Sequence, residues 1–186
     1  MATVEVYWRR IVDLIEDGDP EFYATFLPPP DPLKVDALER TLQLPIPADL
    51  RAWWRCSDGV DTVAAAPRVL IPDSYLPMPI DAAVDWREQL LNIGFVTTNV
   101  PDLDYQNMIE RYENEPAGTP NGAFWLPSRL PFAFNGGSVG LFIDLRHGPL
   151  HGCVVPYFRD SAGAHDPRWS SVLEMITEVA DLFEHQ

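Results

Sequence analysis

The chain has 186 residues, and its 28 acidic side chains against 13 lysines and arginines give a formal net charge of −15 at pH 7. This charge argues against a nucleic-acid-binding protein, which needs a basic face, and against a protein that docks on anionic lipid. The length suggests one domain that can bury a core without disulfides or metal.

The first part of the chain has the pattern of helices. Apolar residues at helical spacing over residues 4–15 predict a first helix, and Asp19-Pro20 is a typical start of a second. The proline-rich segment 28–32 predicts a stiff joint. We therefore expect one domain over residues 1–186, in which residues 1–30 form an N-terminal helical extension. Further helices are predicted over residues 31–42, 50–58, 79–91 and 102–115 and after Asp166-Pro167.

The pattern changes near Gly122. Short apolar runs predict strands over residues 124–126, 130–134, 139–145 and 153–158, with another short strand at 68–71. Asn135-Gly136 between two of these runs is a strong hairpin signal, and the glycines and proline of residues 146–152 predict a second turn. This order predicts an α+β fold with an antiparallel or mixed central sheet, its strands mainly in residues 124–158, covered by helices.

One motif is shared with serine hydrolases. Residues 136–140 match G-x-S-x-G around Ser138, and Asp144 or Asp160 followed by His165 gives the order of that catalytic triad. The hydrolase elbow needs a helix directly after the serine, whereas the residues after Ser138 have the pattern of a strand. A glycine-rich turn between two strands explains the motif better, so a hydrolase remains the less favoured alternative.

Histidine and cysteine residues suggest two further kinds of site. His147, His151 and Cys153 lie close together, but zinc would need a fourth ligand or water and converging side chains. A loop with solvated histidines and a buried Cys153 is the simpler interpretation. Cys56 lies near two aspartates, whose charges would raise the pKa of its thiol and disfavour a nucleophile. We therefore predict no catalytic residue, no cofactor and no metal ligand.

Tryptophan placement suggests a binding surface. Trp8, Trp53 and Trp54 have the spacing of core residues. Trp53 and Trp54 are adjacent, and neighbours on a helix face about 100° apart, so we expect one of them to turn at least partly outward. An exposed tryptophan near acidic residues is typical of a protein-binding hot spot.

An ordered set of segments resembles the SUKH superfamily, the Smi/Knr-type domain. The resemblance covers roughly residues 31–184. This family includes fungal cell-wall assembly regulators and many bacterial immunity proteins that neutralise polymorphic toxins. The segments are residues 44–50, the helix end Ser57-Asp58-Gly59, Trp125-Leu126-Pro127, residues 131–137, residues 141–145, Gly152-Cys153-Val154-Val155 and a closing amphipathic helix.

The resemblance implies a structural role for four residues. The family's helix-ending aspartate and glycine match Asp58 and Gly59, and its strand aspartate matches Asp144. Its following glycine and valine match Gly152 and Val154. Of these, Gly59, Asp144, Gly152 and Val154 are expected to hold the fold rather than bind a partner.

The resemblance also implies a non-catalytic function. A bacterial immunity protein that binds a basic, nuclease-like toxin is the favoured function, because an acidic inhibitor can occupy the surface that holds nucleic acid. A regulatory or scaffolding protein without a toxin partner is the alternative. The composition, the two cysteines and the absence of a signal pattern predict a cytoplasmic protein. The expected partner-binding residues are the acids nearest aromatic residues, with one tyrosine: Asp58, Asp61, Asp102, Asp104, Tyr105 and Glu113.

Overall fold

The computed structural model describes residues 3–65, 68–94, 105–121, 125–135, 139–158, 163–164 and 166–185. Within these ranges the chain forms eight helices and five strands. The helices are α1 (Val4–Gly18), α2 (Pro20–Tyr23), α3 (Pro32–Leu42), α4 (Ala48–Trp54), α5 (Thr62–Ala65), α6 (Ile80–Gly94), α7 (Tyr105–Glu113) and α8 (Val172–Glu184). The strands are β1 (Leu76–Pro77), β2 (Arg129–Phe134), β3 (Val139–Asp144), β4 (Cys153–Phe158) and β5 (Gly163–Ala164).

The five described strands form one antiparallel sheet in the order β1-β2-β3-β4-β5. Each strand therefore pairs with its neighbour in sequence, as hairpin connections allow. The turn between β2 and β3 includes Asn135, whose N–H donates to the Val139 carbonyl at 3.2 Å. The α+β fold predicted from the sequence is confirmed.

Several predicted elements differ from the structure. The helix predicted over residues 50–58 is α4, which ends at Trp54. Residues 68–71 are not a strand, since Ile71 makes an isolated bridge with Tyr75. In segment 124–126, the described residues 125 and 126 lie outside any strand. The last helix begins at Val172 and not after Pro167, because the Ser171 hydroxyl accepts the Glu174 N–H at 3.1 Å and caps the helix there.

Apolar side chains cover both faces of the sheet. Alternate residues of a strand face opposite sides. Leu141 and Ile143 of β3 enter the main core, whereas Phe142 between them enters a smaller cluster with Trp125 and Cys153. Helices α1, α4 and α8 contact one another and contribute buried side chains to the main core, and α6 packs against β2.

The expectation of an outward-facing tryptophan on α4 is wrong. Trp53 and Trp54 are 1% and 4% exposed. The helix α4 packs against both α1 and α8. The Trp53 ring also contacts Trp8 and Phe132, with centroid distances of 4.8 and 5.2 Å. Because α4 has apolar neighbours on more than one side, side chains about 100° apart are both buried.

The helix α1 is built into the main core. Its buried residues Val4, Trp8, Ile11 and Ile15 belong to the same cluster as the sheet residues, and the helix packs along α8. The division into one domain with an extension over residues 1–30 stays a prediction. Within the described residues, no helix combines the length and the apolar character needed to cross a lipid bilayer.

Candidate protein-binding site

Asp58 lies just after α4 and joins three helices. Its Oδ1 accepts the Ile80 N–H at 2.8 Å, at the start of α6, and its Oδ2 lies 3.4 Å from Nζ of Lys34 on α3. Lys34 also pairs with Asp81 of α6 at 2.9 Å. Burial alone would lower the pKa of Lys34, but the bonds to Asp81 and the charge of Asp58 raise it overall. Only 13% of the Asp58 side chain is exposed, so most of it serves the fold.

Gly59 and Asp61, which follow Asp58 in the chain, differ in exposure, because Gly59 is buried and Asp61 is not. Gly59 has φ +83°, and a Cβ there would lie 2.7 Å from the Pro77 carbonyl oxygen, so the position requires glycine. Asp61 is exposed, and its Oδ1 accepts the N–H groups of Val63 and Ala64 at 3.0 and 3.1 Å. Asp61 thus caps α5 through one of its two carboxylate oxygens.

The other expected partner-binding residues lie on or before α7. Glu113 is half-buried at the end of the helix, and its Oε1 accepts the Ser128 N–H at 2.9 Å. Asp102, Asp104 and the side chain of Tyr105 lie outside the described residues. The structure therefore places Asp58 and Asp61 beside α5 and α6, and Glu113 beside Ser128 at the start of β2.

Asp144 and Arg146 form a buried ion pair, with both residues no more than 2% exposed. Arg146 Nη2 lies 2.7 Å from Asp144 Oδ2, and its guanidinium also donates to the carbonyls of Tyr112 and Thr119 at 3.0 and 2.8 Å. Burial alone would raise the pKa of Asp144. The hydrogen bonds and charge of Arg146, with the N–H of Gly118, hold that pKa below its ordinary value.

A second buried arginine completes this cluster. Arg129 lies opposite Asp144 in the sheet, donates to the side chain of Asn121, and has its Cζ 4.4 Å from the centre of the Phe142 ring. Burial lowers the pKa of Arg129 to about 9, so it remains charged at neutral pH. Neither Arg129 nor Arg146 was predicted from the sequence. The available signal was an arginine at the end of a buried apolar strand, where a charge requires a partner.

Gly152 and Val154 have positions that only small or apolar groups fit. Gly152 has φ +91°, and a Cβ there would lie 2.6 Å from Cγ of Pro47. Its N–H donates to the Asp144 carbonyl at 2.8 Å, which closes the turn between β3 and β4. Val154 is fully buried and bridges Trp169, so it links the sheet to the segment before α8.

The hydrolase motif, residues 136–140, ends within a strand. Ser138, Asp160 and His165 lie outside the described residues, but the strand β3 begins at Val139, where a hydrolase elbow needs a helix.

The described histidines and cysteines do not form a metal-binding cluster. No group of three His, Cys, Asp or Glu side chains could hold a metal within the described ranges. His151 Nδ1 lies 3.1 Å from the Arg146 carbonyl. Burial raises the pKa of Cys153 to about 12 and that of Cys56 to about 11, so both thiols are poor nucleophiles at neutral pH.

A groove with a volume of about 380 Å³ runs along α6. One wall is a single helix face, because its residues follow the spacing i, i+3, i+4 and i+7. We call this site the α6 groove. Its lining residues are Ala82, Asp85, Trp86 and Gln89 of α6 with Thr62, Met78 and Phe134.

Trp86 is the partly exposed tryptophan of the chain. All six tryptophans are within the described residues, and the other five are buried. The Trp86 indole lies over Gly140 of β3, where a Cβ would be 2.4 Å from the ring, and its centroid is 6.2 Å from that of Phe134. Trp86 was not predicted as a surface residue. The sequence signal for its exposure was its position between two charged residues, Asp85 and Arg87.

The negative charge is concentrated on helix surfaces. Among the described residues, seven basic side chains form ion pairs with acids, which leaves many exposed carboxylates without a cation. The exposed helix carboxylates without an ion pair in the described part of the chain include Asp13, Glu16 and Asp17 on α1, Asp85 and Glu88 on α6, and Glu174 and Asp181 on α8.

Residues 29–178 match the SMI1 / KNR4 family (SUKH-1), and the chain belongs to this family. The family includes immunity proteins and Smi1/Knr4 regulators, is generally non-catalytic, and is known for protein–protein interactions. The match confirms the resemblance found in the sequence. A comparison with curated proteins found no match.

Proposed function

We propose that this SUKH-1 domain is a non-catalytic cytoplasmic module that binds and neutralises a basic protein, as an immunity protein does for a bacterial toxin. The observation that carries the proposal is the net charge of −15 in a family known for protein–protein interactions. A nuclease-like toxin presents cations that hold phosphates, and an acidic domain can occupy that surface in their place.

The distribution of carboxylates supports electrostatic recognition. Acids without an ion pair in the described residues lie on α1, α6 and α8, which are fixed to the core. Because the helices are fixed, only the carboxylate side chains need ordering when a cation approaches, and their summed field increases the association rate. Asp61 and Glu113 are proposed contacts with exposed or half-buried carboxylates, and Asp102, Asp104 and Tyr105 remain proposed contacts on sequence grounds. Asp58 is a less direct proposed contact, since its oxygens already accept the Ile80 N–H and pair with Lys34.

A regulatory module without a toxin partner is the second candidate. The family includes Smi1/Knr4 regulators as well as immunity proteins, and both use the same fold. The two functions differ in the partner, because only a toxin harms its host when it is produced alone.

The test begins with capture from the lysate of the native host. Tagged protein is loaded at about 50 mM NaCl and eluted with a gradient to about 500 mM, and eluted proteins are identified by mass spectrometry. The matched control is a variant in which asparagine or glutamine replaces the acids Asp13, Glu16, Asp85 and Glu88. These amides keep the side-chain shapes but remove the charges. We expect a stoichiometric basic protein that the wild-type chain retains to higher salt than the control variant does.

A growth assay then separates immunity from regulation. The captured protein is expressed alone and together with this chain. Growth arrest that co-expression relieves supports immunity. A captured protein that is harmless alone refutes immunity and favours regulation. Binding that is insensitive to salt would contradict electrostatic recognition altogether and indicate an apolar interface.

A further inference from the structure

We infer that the α6 groove receives an arginine or lysine side chain of the basic partner, with its cation between the Trp86 indole and the Asp85 carboxylate. The inference rests on the proposed function and assigns one contact within it. A volume of about 380 Å³ lies at the small end of the range for ligand pockets, which suits one long side chain.

The groove combines the two groups that attract an organic cation. Trp86 lines the groove and is partly exposed, and an indole ring is the best aromatic partner for a cation. The neighbouring Asp85 is exposed and has no ion pair within the described residues. Met78 and Phe134 provide apolar surface for the aliphatic stem of an incoming lysine or arginine.

The charges around the groove are predominantly negative. Asp61, next to the lining residue Thr62, is exposed, and Glu88 follows Asp85 by one turn of α6. Within the described residues two basic groups lie nearby, and each already has a hydrogen-bonding or ion-pair partner. Lys34 pairs with two aspartates, and the Arg87 guanidinium donates to the Pro127 carbonyl at 3.1 and 2.6 Å. This charge complementarity favours a cationic occupant.

A second groove of about 370 Å³ lacks this complementarity. It lies between α1, α2 and α4, and Trp8, Phe26 and Cys56 are among its lining residues, none of which is a carboxylate. Two of the charged residues near its lining residue Cys56, Glu5 and Arg55, pair with each other at 2.7 Å. Its described lining offers aromatic rings but no carboxylate, so the α6 groove is the better site for a basic side chain.

The test uses a defined probe and the full chain. A short arginine–glycine peptide is titrated into the ¹⁵N-labelled protein, and the Trp86 indole N–H resonance is followed. The same peptide with citrulline for arginine is the neutral control probe. Trp86→Phe assigns the resonance and keeps an aromatic ring in the groove.

Two aspartate variants separate the groove from the general field. Asp85→Asn and Asp13→Asn change the net charge equally, and both aspartates are exposed helix residues without an ion pair in the described ranges. Asp13 lies on α1, which packs mainly against α8, α2 and α4. We expect a saturable shift of Trp86 with the arginine peptide, with affinity reduced about two- to fivefold in Asp85→Asn and unchanged in Asp13→Asn.

Several results would overturn the inference. These are equal weakening by both substitutions, equal shifts with the citrulline peptide, or larger shifts at another surface. If Asp85→Asn and Trp86→Phe retain a captured basic partner as tightly as wild type, the groove is refuted while the proposed function stands. If no basic partner is captured but Trp86 responds as expected, the groove is supported and the proposed function is refuted.

Discussion

Replacement of Arg146 by methionine should destabilise the protein strongly. Methionine removes the cation beside the buried Asp144 carboxylate and the donors to the carbonyls of Tyr112 and Thr119. Loss of one partner of a buried ion pair costs about 3–5 kcal/mol. The charge of Arg129 remains near Asp144, so we expect about 3 kcal/mol. This is a large part of the roughly 5–15 kcal/mol that stabilises a typical domain.

Unfolding measurements check this magnitude. For a domain of this size, about 1 kcal/mol corresponds to about 2–4 °C in Tm, so a loss of about 6–12 °C is expected by circular dichroism. Urea unfolding of Arg146→Met, Asp144→Asn and the double variant then forms a thermodynamic cycle. The double variant should cost less than the sum of the single variants by roughly 1–3 kcal/mol. Both charges are absent from it, so neither a buried carboxylate nor a buried guanidinium is left without its partner.

A specific pair of results would refute the reasoning. Single substitutions that each cost under about 1 kcal/mol and add without coupling are the behaviour of an exposed ion pair. That outcome would mean that water or other groups compensate these charges in solution. The double variant should not recover wild-type stability, since the carbonyls of Tyr112 and Thr119 would still lack the Arg146 donors.

Three further outcomes are expected. The folded-state pKa of Asp144 lies below the unfolded-state pKa of about 3.9, so the ionised carboxylate stabilises the fold above that pH. This stabilisation is lost as pH falls through the folded-state pKa. Asp144→Asn should therefore flatten the free energy of unfolding plotted against pH below about pH 4. Gly152→Ala should cost at least about 1–3 kcal/mol in urea unfolding because of its positive φ, whereas Gly18→Ala, with open space around it, should change stability by under about 1 kcal/mol. Cys56 and Cys153 should resist iodoacetamide at neutral pH until denaturant is added, and rapid native labelling of Cys153 would contradict its burial.

Local sequence signals predicted the sheet well. Asn135-Gly136 and the turn at Gly152 separate three apolar runs, and the structure has β2, β3 and β4 at those runs in antiparallel order. The helix predicted over residues 79–91 is α6. These elements depend on turn residues and on the periodicity of a few neighbouring residues, so the information lies within each segment.

Exposure and pairing were decided by tertiary structure. Trp53 and Trp54 are both buried because α4 contacts α1 and α8, and Trp53 also contacts Phe132 of β2. The partly exposed tryptophan is Trp86, which lies over Gly140 of β3. The contacts of Arg146 with Tyr112 and Thr119 join residues 34 and 27 positions apart. Sequence periodicity shows which face of a helix or strand is apolar. Only the packing of distant segments determines what covers that face and which charges meet.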